Sequence, residues 1–314
     1  SDLFFEISPN PREDEVSAGC KKYKSGNHDA IIAIGGGSAM DGGKLICLTA
    51  NNDIPLRDFE FELTPPKISK DNPFPKIITI PTTAGTGAET EITAMVTYLE
   101  EGMKFCMWHP DARPVLALVD PELTLKLPAS LTAWTGVDAL VHAIEGYCVP
   151  GFHPLCDGSA IESLSLISKS LYQAVEEPNN LVARGGMHVG SYLGGIAFLK
   201  GLGLVHAISH MVGAEFNTQH GLTNAIILPV VLKYNLSGMD EKVKRMSEAM
   251  QFENHSVDAF ISNIEKMLDR LNIPKSLSEI GVPEDCFERI AKKAMKDQAY
   301  ATNPKIATLE EVKE

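Results

Sequence analysis

The sequence predicts an α/β unit built on a parallel sheet, followed by an all-helical unit. Two observations carry this. In the first third, near-continuous Ile, Val and Leu runs each feed a turn of Gly, Thr or Asp, the pattern of parallel strands covered on both faces. From Pro128 onward, apolar residues recur at i, i+3, i+4 and i+7 while β-branched runs shorten, the pattern of amphipathic helices. A chain of 314 residues accommodates two domains of ordinary size, divided on this reading as 1–126 and 127–314.

AIIAIGGG, Ala30 to Gly37, reads as a buried strand entering a tight loop, and SAMDGGKLICLTA then takes helical spacing. KIITIPTTAGTG, Lys76 to Gly87, repeats the theme of strand and turn. VLALVDPELT, Val115 to Thr124, is a third apolar strand, ended by Asp-Pro. Ligands of such sheets bind at the carboxyl ends of the strands, where these turns fall. SLTAWTGVDALVHAIEGY, DGSAIESLSLISKSLYQAV, LVARGGMHVGSYLGGIAF and the segment after Ser256 read as helices, with Pro and Gly between them. The closing LEEVKE reads as a solvated helix.

Composition excludes several classes. At 44% hydrophobic and 22% charged, the chain has the balance of a folded globular protein rather than a disordered one. A net charge of −13 without any Lys/Arg-dense stripe argues against nucleic acid or an anionic membrane as partner. No apolar run reaches the length of a membrane span, and SDLFFEISPNPRED lacks the basic start and apolar stretch of a signal peptide. The six cysteines (Cys20, Cys47, Cys106, Cys148, Cys156 and Cys286) form no C-x-x-C pair, so reduced thiols in a cytoplasmic protein are expected.

Two groups of residues carry chemistry. IIAIGGGSAMDGGK has the form strand, glycine turn, helix start, where backbone amides and the helix N-terminus hold phosphate. It departs from G-x-G-x-x-G, with Met40 in place of the third glycine, and from the P-loop, with Ser38 and Leu45 at its fixed positions. TTAGTG, Thr82 to Gly87, adds hydroxyls at a second strand end, and two such turns in one sheet point to a nucleotide. In the helical half, Asp138 and His142 lie four residues apart, with Glu145 three further along the same face. Alone, that pair reads as an exposed interaction or a core hydrogen bond. His206 and His210 repeat the spacing inside GLVHAISHMVGAEFNTQHG, among apolar neighbours that make an uncompensated polar group costly, and His220 follows a polar turn. The two segments can bring one carboxylate and up to three imidazoles to a common point. A mixed N/O set suits Zn²⁺ or Fe²⁺, and one that leaves a position open is the pattern of a catalytic metal.

With these residues assembled, the chain resembles the iron-containing (group III) alcohol dehydrogenase family. GGGSAMDGGK is similar to that family's GGGSxxDxxK, and PTTAGTGAE to its second nucleotide turn. GVDALVHAIEGY and GLGLVHAISHMVGAEFNTQHGLTNAIILP are similar to its two metal-binding segments. The likeness runs from about Asn10 to near the C-terminus. It implies the architecture shared with dehydroquinate synthase: a nucleotide-binding α/β domain, then a helical metal-binding domain. It further implies that Asp138, His142, His206 and His220 bind one divalent metal, Fe²⁺ or in some members Zn²⁺, and that His210 stands beside the site as a proton carrier. Gly36, Gly37 and Ser38 would hold the pyrophosphate of NAD or NADP, with Asp41 of the same motif also at the cofactor. Thr82, Thr83 and Thr86 would lie along the phosphates and nicotinamide ribose, and Lys104 at the ribose.

The activity so implied is hydride transfer between a small alcohol or aldehyde and the nicotinamide, by a homodimer or larger homo-oligomer, in a pocket near Phe152, His153 and Phe198. The alternatives are a dehydroquinate synthase-like metal lyase and a nucleotide- or metal-binding protein without turnover. The family begins with a further hairpin and strand–helix–strand portion ahead of this chain's first residue. Without that portion the sheet is expected to be short of strands and to expose an edge.

Overall fold

The computed structural model, which describes residues 1–314, places Ser1–Thr83 and Ala88–Asp120 in one unit. Ala84–Gly87 and Pro121–Glu314 form the second. The first unit runs α1 (Glu13–Ser25), β1 (Ala30–Gly35), α2 (Gly37–Ala50), β2 (Lys76–Pro81), β3 (Thr93–Tyr98), β4 (Met103–Trp108) and β5 (Leu116–Ala117). Strands β1 and β2 pair in parallel, with Ala30 opposite Lys76 and Gly35 opposite Pro81, and β5 joins the other side of β2. β1 is thus an edge strand, as expected.

That register sorts the side chains into two faces. Ile31, Ala33, Ile77 and Thr79 share the face covered by α2, whose Gly43 lets the helix come close: a Cβ there would lie 2.7 Å from the Ala33 methyl. The opposite face carries Ile32, Ile34, Leu116 and Leu118, which remain 50–60% exposed. The expectation of a sheet covered on both faces therefore holds for one face only in this chain. The third strand is also shorter than expected. Two of its residues pair with β2, because Pro114 and the Asp120-Pro121 turn bound it.

Two elements were not anticipated. β3 and β4 form an antiparallel hairpin with Thr97 opposite Lys104, its turn made by Gly102 in left-handed backbone at φ 56°. α1 is a mostly polar helix with Glu13, Asp14 and Glu15 in its first turn and Lys22 and Lys24 in its last, charges that complement the helix dipole.

In the second unit, α3 (Ala129–Cys148) is the central rod. Fifteen of its twenty residues are buried, which fits a helix that is apolar nearly all round. α4 (Pro154–Glu176), α5 (Leu181–Ala197), α6 (Leu204–Phe216) and α7 (His220–Asn235) follow, and α4, α5 and α7 pack on α3. The carbonyls at the C-terminus of α3 are answered by lysines. Lys242 Nζ donates to the Tyr147 oxygen at 2.6 Å and Lys200 Nζ to the same oxygen at 3.5 Å. α8 (Asp240–Ala249), α9 (Val257–Arg270), α10 (Phe287–Ala294), α11 (Gln298–Ala301) and α12 (Leu309–Lys313) complete the unit. No single helix is long and apolar enough to cross a membrane.

Candidate metal centre and cofactor turn

The helical periodicity of α3 places Asp138, His142 and Glu145 on one stripe, all nearly fully buried. α6 adds His206 and His210, four residues apart and likewise buried. α6 ends at Asn217, in left-handed backbone at φ 52°, and the chain turns at once into α7. The Gln219 side chain caps that helix, accepting from the Leu222 N–H at 2.6 Å, so His220 becomes its first residue. Gly221 follows where α7 meets α3: a Cβ there would lie 2.3 Å from the Trp134 carbonyl oxygen and 3.0 Å from the Asp138 Cβ. Only glycine lets His220 come this close to Asp138.

One ligand atom from each of Asp138, His142, His206 and His220 falls within a sphere of contacts no wider than 4.8 Å. His220 Nε2 lies 3.6 Å and His206 Nε2 3.9 Å from Asp138 Oδ1. The other nitrogens of two rings are fixed by acceptors. His206 Nδ1 meets Glu145 Oε2 at 2.6 Å, and His142 Nδ1 meets the Gly85 carbonyl at 3.3 Å. A carbonyl can only accept, and so can a carboxyl once ionised, so with Glu145 ionised both Nδ1 atoms carry the proton and both Nε2 lone pairs face the cluster. Burial pushes His142 down to about 4, which keeps its imidazole neutral and able to ligate. Burial likewise pushes Glu145 up to about 7, although the Val205 N–H donates to its Oε1 at 2.8 Å.

A cation fits this donor set. Asn224, fully buried one turn after His220, points Nδ2 at Asp138 Oδ1 (2.6 Å), His220 Nε2 (3.2 Å) and His206 Nε2 (3.3 Å), while its Oδ1 has no partner. Two amide hydrogens face three acceptors, and a point that gathers more lone pairs than donors is one a divalent ion satisfies. One carboxylate and three imidazoles, with Glu145 behind one of them, are an oxygen and nitrogen donor set that would suit Zn²⁺ or Fe²⁺. His210 stands apart from the four. Its Nδ1 pairs with Asp297 Oδ2 at 2.9 Å, and its ring stacks on His220 at 5.4 Å between centroids. Phe198 packs against the His142 ring at 4.8 Å, whereas Phe152 stands in solvent and His153 caps α4 through its Nδ1.

In the first unit, Gly35 leaves β1 at φ 148° and α2 begins one residue after Gly36, with no side-chain cap and no acidic residue in its first turn. Gly37 and Ser38 therefore present an uncapped helix start, a place where backbone N–H groups take an anion. The second turn lies against it: Thr82 N–H donates to the Gly35 carbonyl at 2.8 Å, and a Cβ on Gly36 would sit 3.4 Å from the Thr83 side chain. Thr86 falls in the Ala84–Gly87 segment that belongs with the helical unit. Asp41 lies 3.7 Å from the Lys44 ammonium and within the field of Lys104, and burial raises its carboxyl nonetheless. Lys44 is 1% exposed and spans to the Ala88 carbonyl at 2.9 Å and the Thr93 carbonyl, so it ties the segment that follows the second turn to α2. Beside it, burial pushes Glu91 up to about 8, its Oε2 accepting from the Thr93 hydroxyl at 2.9 Å.

Asn224 and Asp297 were not singled out in the sequence. Asn224 left a signal, a polar residue inside the apolar HGLTNAIILP run. Asp297 left none, being 87 residues from His210 in the chain.

A glycine turn at a parallel strand end, with a helical unit that gathers a carboxylate and three imidazoles, is the equipment of a nucleotide- and metal-dependent enzyme. Two family profiles match: iron-containing alcohol dehydrogenase over residues 1–121, and Fe-containing alcohol dehydrogenase family, C-terminal, over residues 132–314. The NAD-dependent methanol dehydrogenase of Bacillus methanolicus is 36% identical, over 99% of this chain and 82% of that one. The 4-hydroxybutyrate dehydrogenase of Cupriavidus necator is 35% identical, over 98% of this chain and 81% of that one. Among solved structures, a 1,3-propanediol oxidoreductase superposes with a TM-score of 0.93 at 34% identity, over 99% of this chain and 82% of that one. The chain belongs to the iron-containing alcohol dehydrogenase family, and it is an oxidoreductase of alcohols.

Two outcomes follow from these environments. Glu145→Gln removes the anion behind His206 and is expected to weaken Zn²⁺ binding about 10–100-fold in a chelator competition, against an unchanged affinity if Glu145 only packs. For Glu91, the folded value of about 8 lies above its ordinary 4.5. Between those values the unfolded chain sheds a proton that the folded chain keeps, so stability falls as pH rises through that window. Glu91→Gln should therefore melt progressively higher than the parent as pH rises to 8, with the gap closing toward pH 4. A gap independent of pH would sink this account.

Proposed function

We propose that the chain catalyses reversible hydride transfer between a small primary alcohol and a nicotinamide cofactor, using a divalent metal held by Asp138, His142, His206 and His220. The observation that carries this is the convergence of those four ligand atoms within 4.8 Å. Methanol, 4-hydroxybutyrate and 1,3-propanediol, named in the relatives, share a primary alcohol, which supports that substrate class. One relative is named NAD-dependent, which supports NAD, with NADP as the other candidate. The metal is Fe²⁺ or Zn²⁺, the first supported by the family's name.

When bound, the metal supplies Lewis-acid polarisation of the alcohol or carbonyl oxygen and the nicotinamide supplies the hydride acceptor or donor. The chain's own residues do the rest. Glu145 and the Gly85 carbonyl hold the His206 and His142 rings with Nε2 inward. Gly36, Gly37 and Ser38 bind the pyrophosphate at the start of α2, while Thr82, Thr83, Thr86, Asp41 and Lys104 bind and orient the remainder of the cofactor. His210, held at Nδ1 by Asp297, accepts and returns the alcohol proton at Nε2. Phe198 and the apolar wall of α6 exclude water from the reacting carbon. The reading includes a cytoplasmic homodimer or larger homo-oligomer, supported by the family likeness and by cysteines without C-x-x-C pairing.

The test is NADH- and NADPH-dependent reduction of a panel of small aldehydes by protein purified without oxygen and loaded with Fe²⁺ or Zn²⁺. Turnover that requires the metal is expected. His206→Ala should lose metal and turnover together. His210→Phe should keep the metal, slow the reaction about 10²–10⁴-fold and change its pH profile. Loss of metal in the His210 variant would overturn the division of roles.

A further inference from the structure

Arg184 lies in the first turn of α5, 2% exposed, and no carboxylate answers it. Its Nε donates to the Pro178 carbonyl at 3.1 Å and its Nη1 to the Thr132 hydroxyl oxygen at 2.8 Å. Its Nη2 is buried without a partner. Burial is the only influence resolved on its ionisation, and no neighbouring charge offsets it. A guanidinium does not escape burial by losing its proton, as a lysine or histidine does. The first turn of a helix also disfavours a cation, because the helix dipole is positive there. An unpaired buried charge is among the costliest features a fold can hold.

The side chain borders a cavity of about 10 Å³, lined by Thr124, Thr132, Thr135, Leu127 and Met187 beside Arg184 itself. That is room for a single small occupant, too little for a phosphate, sulfate or carboxylate. The threonines narrow the chemistry further. The Thr124 and Thr135 hydroxyls already donate to the Pro121 and Leu131 carbonyls, each at 2.8 Å. Thr132 accepts from Arg184, which leaves its own hydrogen to give. Thr124 and Thr135 therefore keep only lone pairs, and the hydrogens left to give at the cavity are those of Arg184 Nη2 and Thr132, beside a positive charge that nothing cancels. A water would take the hydrogen bonds and leave the charge; a monatomic anion takes both.

We propose that this cavity binds a single halide, chloride in the cell, held by Arg184 Nη2 and the Thr132 hydroxyl. The ion joins the first turn of α3 to the first turn of α5 and completes the packing of the two helices. Nothing in this rests on the alcohol reaction, so either conclusion can fail alone.

Crystals of the full chain soaked in sodium bromide and measured at the bromine edge are expected to show an anomalous peak beside Arg184 Nη2. Density there without anomalous signal, a water, overturns the proposal. In solution, chloride and bromide should raise the melting temperature by about 2–4 °C over sodium gluconate at matched ionic strength. The halide-specific part should vanish in Arg184→Met and shrink in Thr132→Val. Should Arg184→Met fail to fold, Thr132→Val and the crystal decide the matter. An equal halide response in parent and variants overturns the proposal. So does a bromide peak with no solution response, which would mean binding at crystal concentration only.

Discussion

Burying a carboxylate and three imidazoles at one point is costly, and the helical unit is arranged around that cost. Each buried polar group left unpaired loses on the order of 1–3 kcal/mol, against a total stability of about 5–15 kcal/mol for a domain. Four such losses would leave little margin. The chain offsets them in part without any ion: Glu145 behind His206, the Gly85 carbonyl behind His142, and the Asn224 amide toward Asp138. What remains is a set of lone pairs facing one another across a space of a few ångström, an arrangement that suits a cation. A ligand bound only by the folded state shifts the folding equilibrium by its own binding free energy. An ion held there would therefore be a structural element as well as a chemical one.

The geometry depends on how closely α7 can approach α3. The Trp134 carbonyl and the Asp138 Cβ occupy the space that any side chain at residue 221 would need. The left-handed Asn217 and the Gln219 cap then set the angle at which α7 starts, so that its first residue, His220, and Asn224 one turn on both face Asp138. Local turn chemistry thus decides which histidine reaches the centre. α3 tolerates the approach because it is enclosed on nearly every side and held at its C-terminus by two lysines. A rod fixed in this way is a firm base for Asp138 and His142, whose positions must agree with the partner helices to a fraction of an ångström.

Much of this was legible in the residues. The periods of 2 and 3.6 separate sheet from helix, and the Asp138/His142 and His206/His210 spacings put each pair on one helix face. Periodicity, however, fixes only what a segment buries, not what lies opposite it. Ile32 and Ile34 read as core and stand exposed, because burial belongs to the partner surface and not to the strand. The β3–β4 hairpin was missed because TAMVTY and MKFCMW mix small, sulfur-containing and polar residues, which blurs the alternation. Lys44 is another case. In a glycine-turn motif a lysine invites a phosphate role, yet here its ammonium is enclosed and bound to two carbonyls, so it shapes the turn from behind. The partners of the histidines were the least legible of all. Asp297 and Gly85 come from distant segments, and nothing in spacing announces a contact across 87 residues.

Those partners are what separate histidines of identical composition into different tasks. His142, with a neutral carbonyl at Nδ1, is driven by burial to about 4 and stays an uncharged donor of a lone pair. His206 instead has the Glu145 carboxyl at Nδ1, which would orient its Nε2 toward a bound metal. His210 also has a carboxylate at Nδ1, but its ring lies outside the four converging atoms, so in the proposed reaction the same fixing would leave Nε2 to exchange the proton. Asp297 is itself held as the cap of α11, its Oδ1 accepting from the Ala299 N–H at 2.8 Å, which fixes the orientation of the carboxylate that fixes the ring. The proposed distinction between ligand and proton carrier therefore lies one layer behind the histidines. Residue type supplies an imidazole at each position, and the acceptor at Nδ1, together with the ring's distance from Asp138, decides what that imidazole can do.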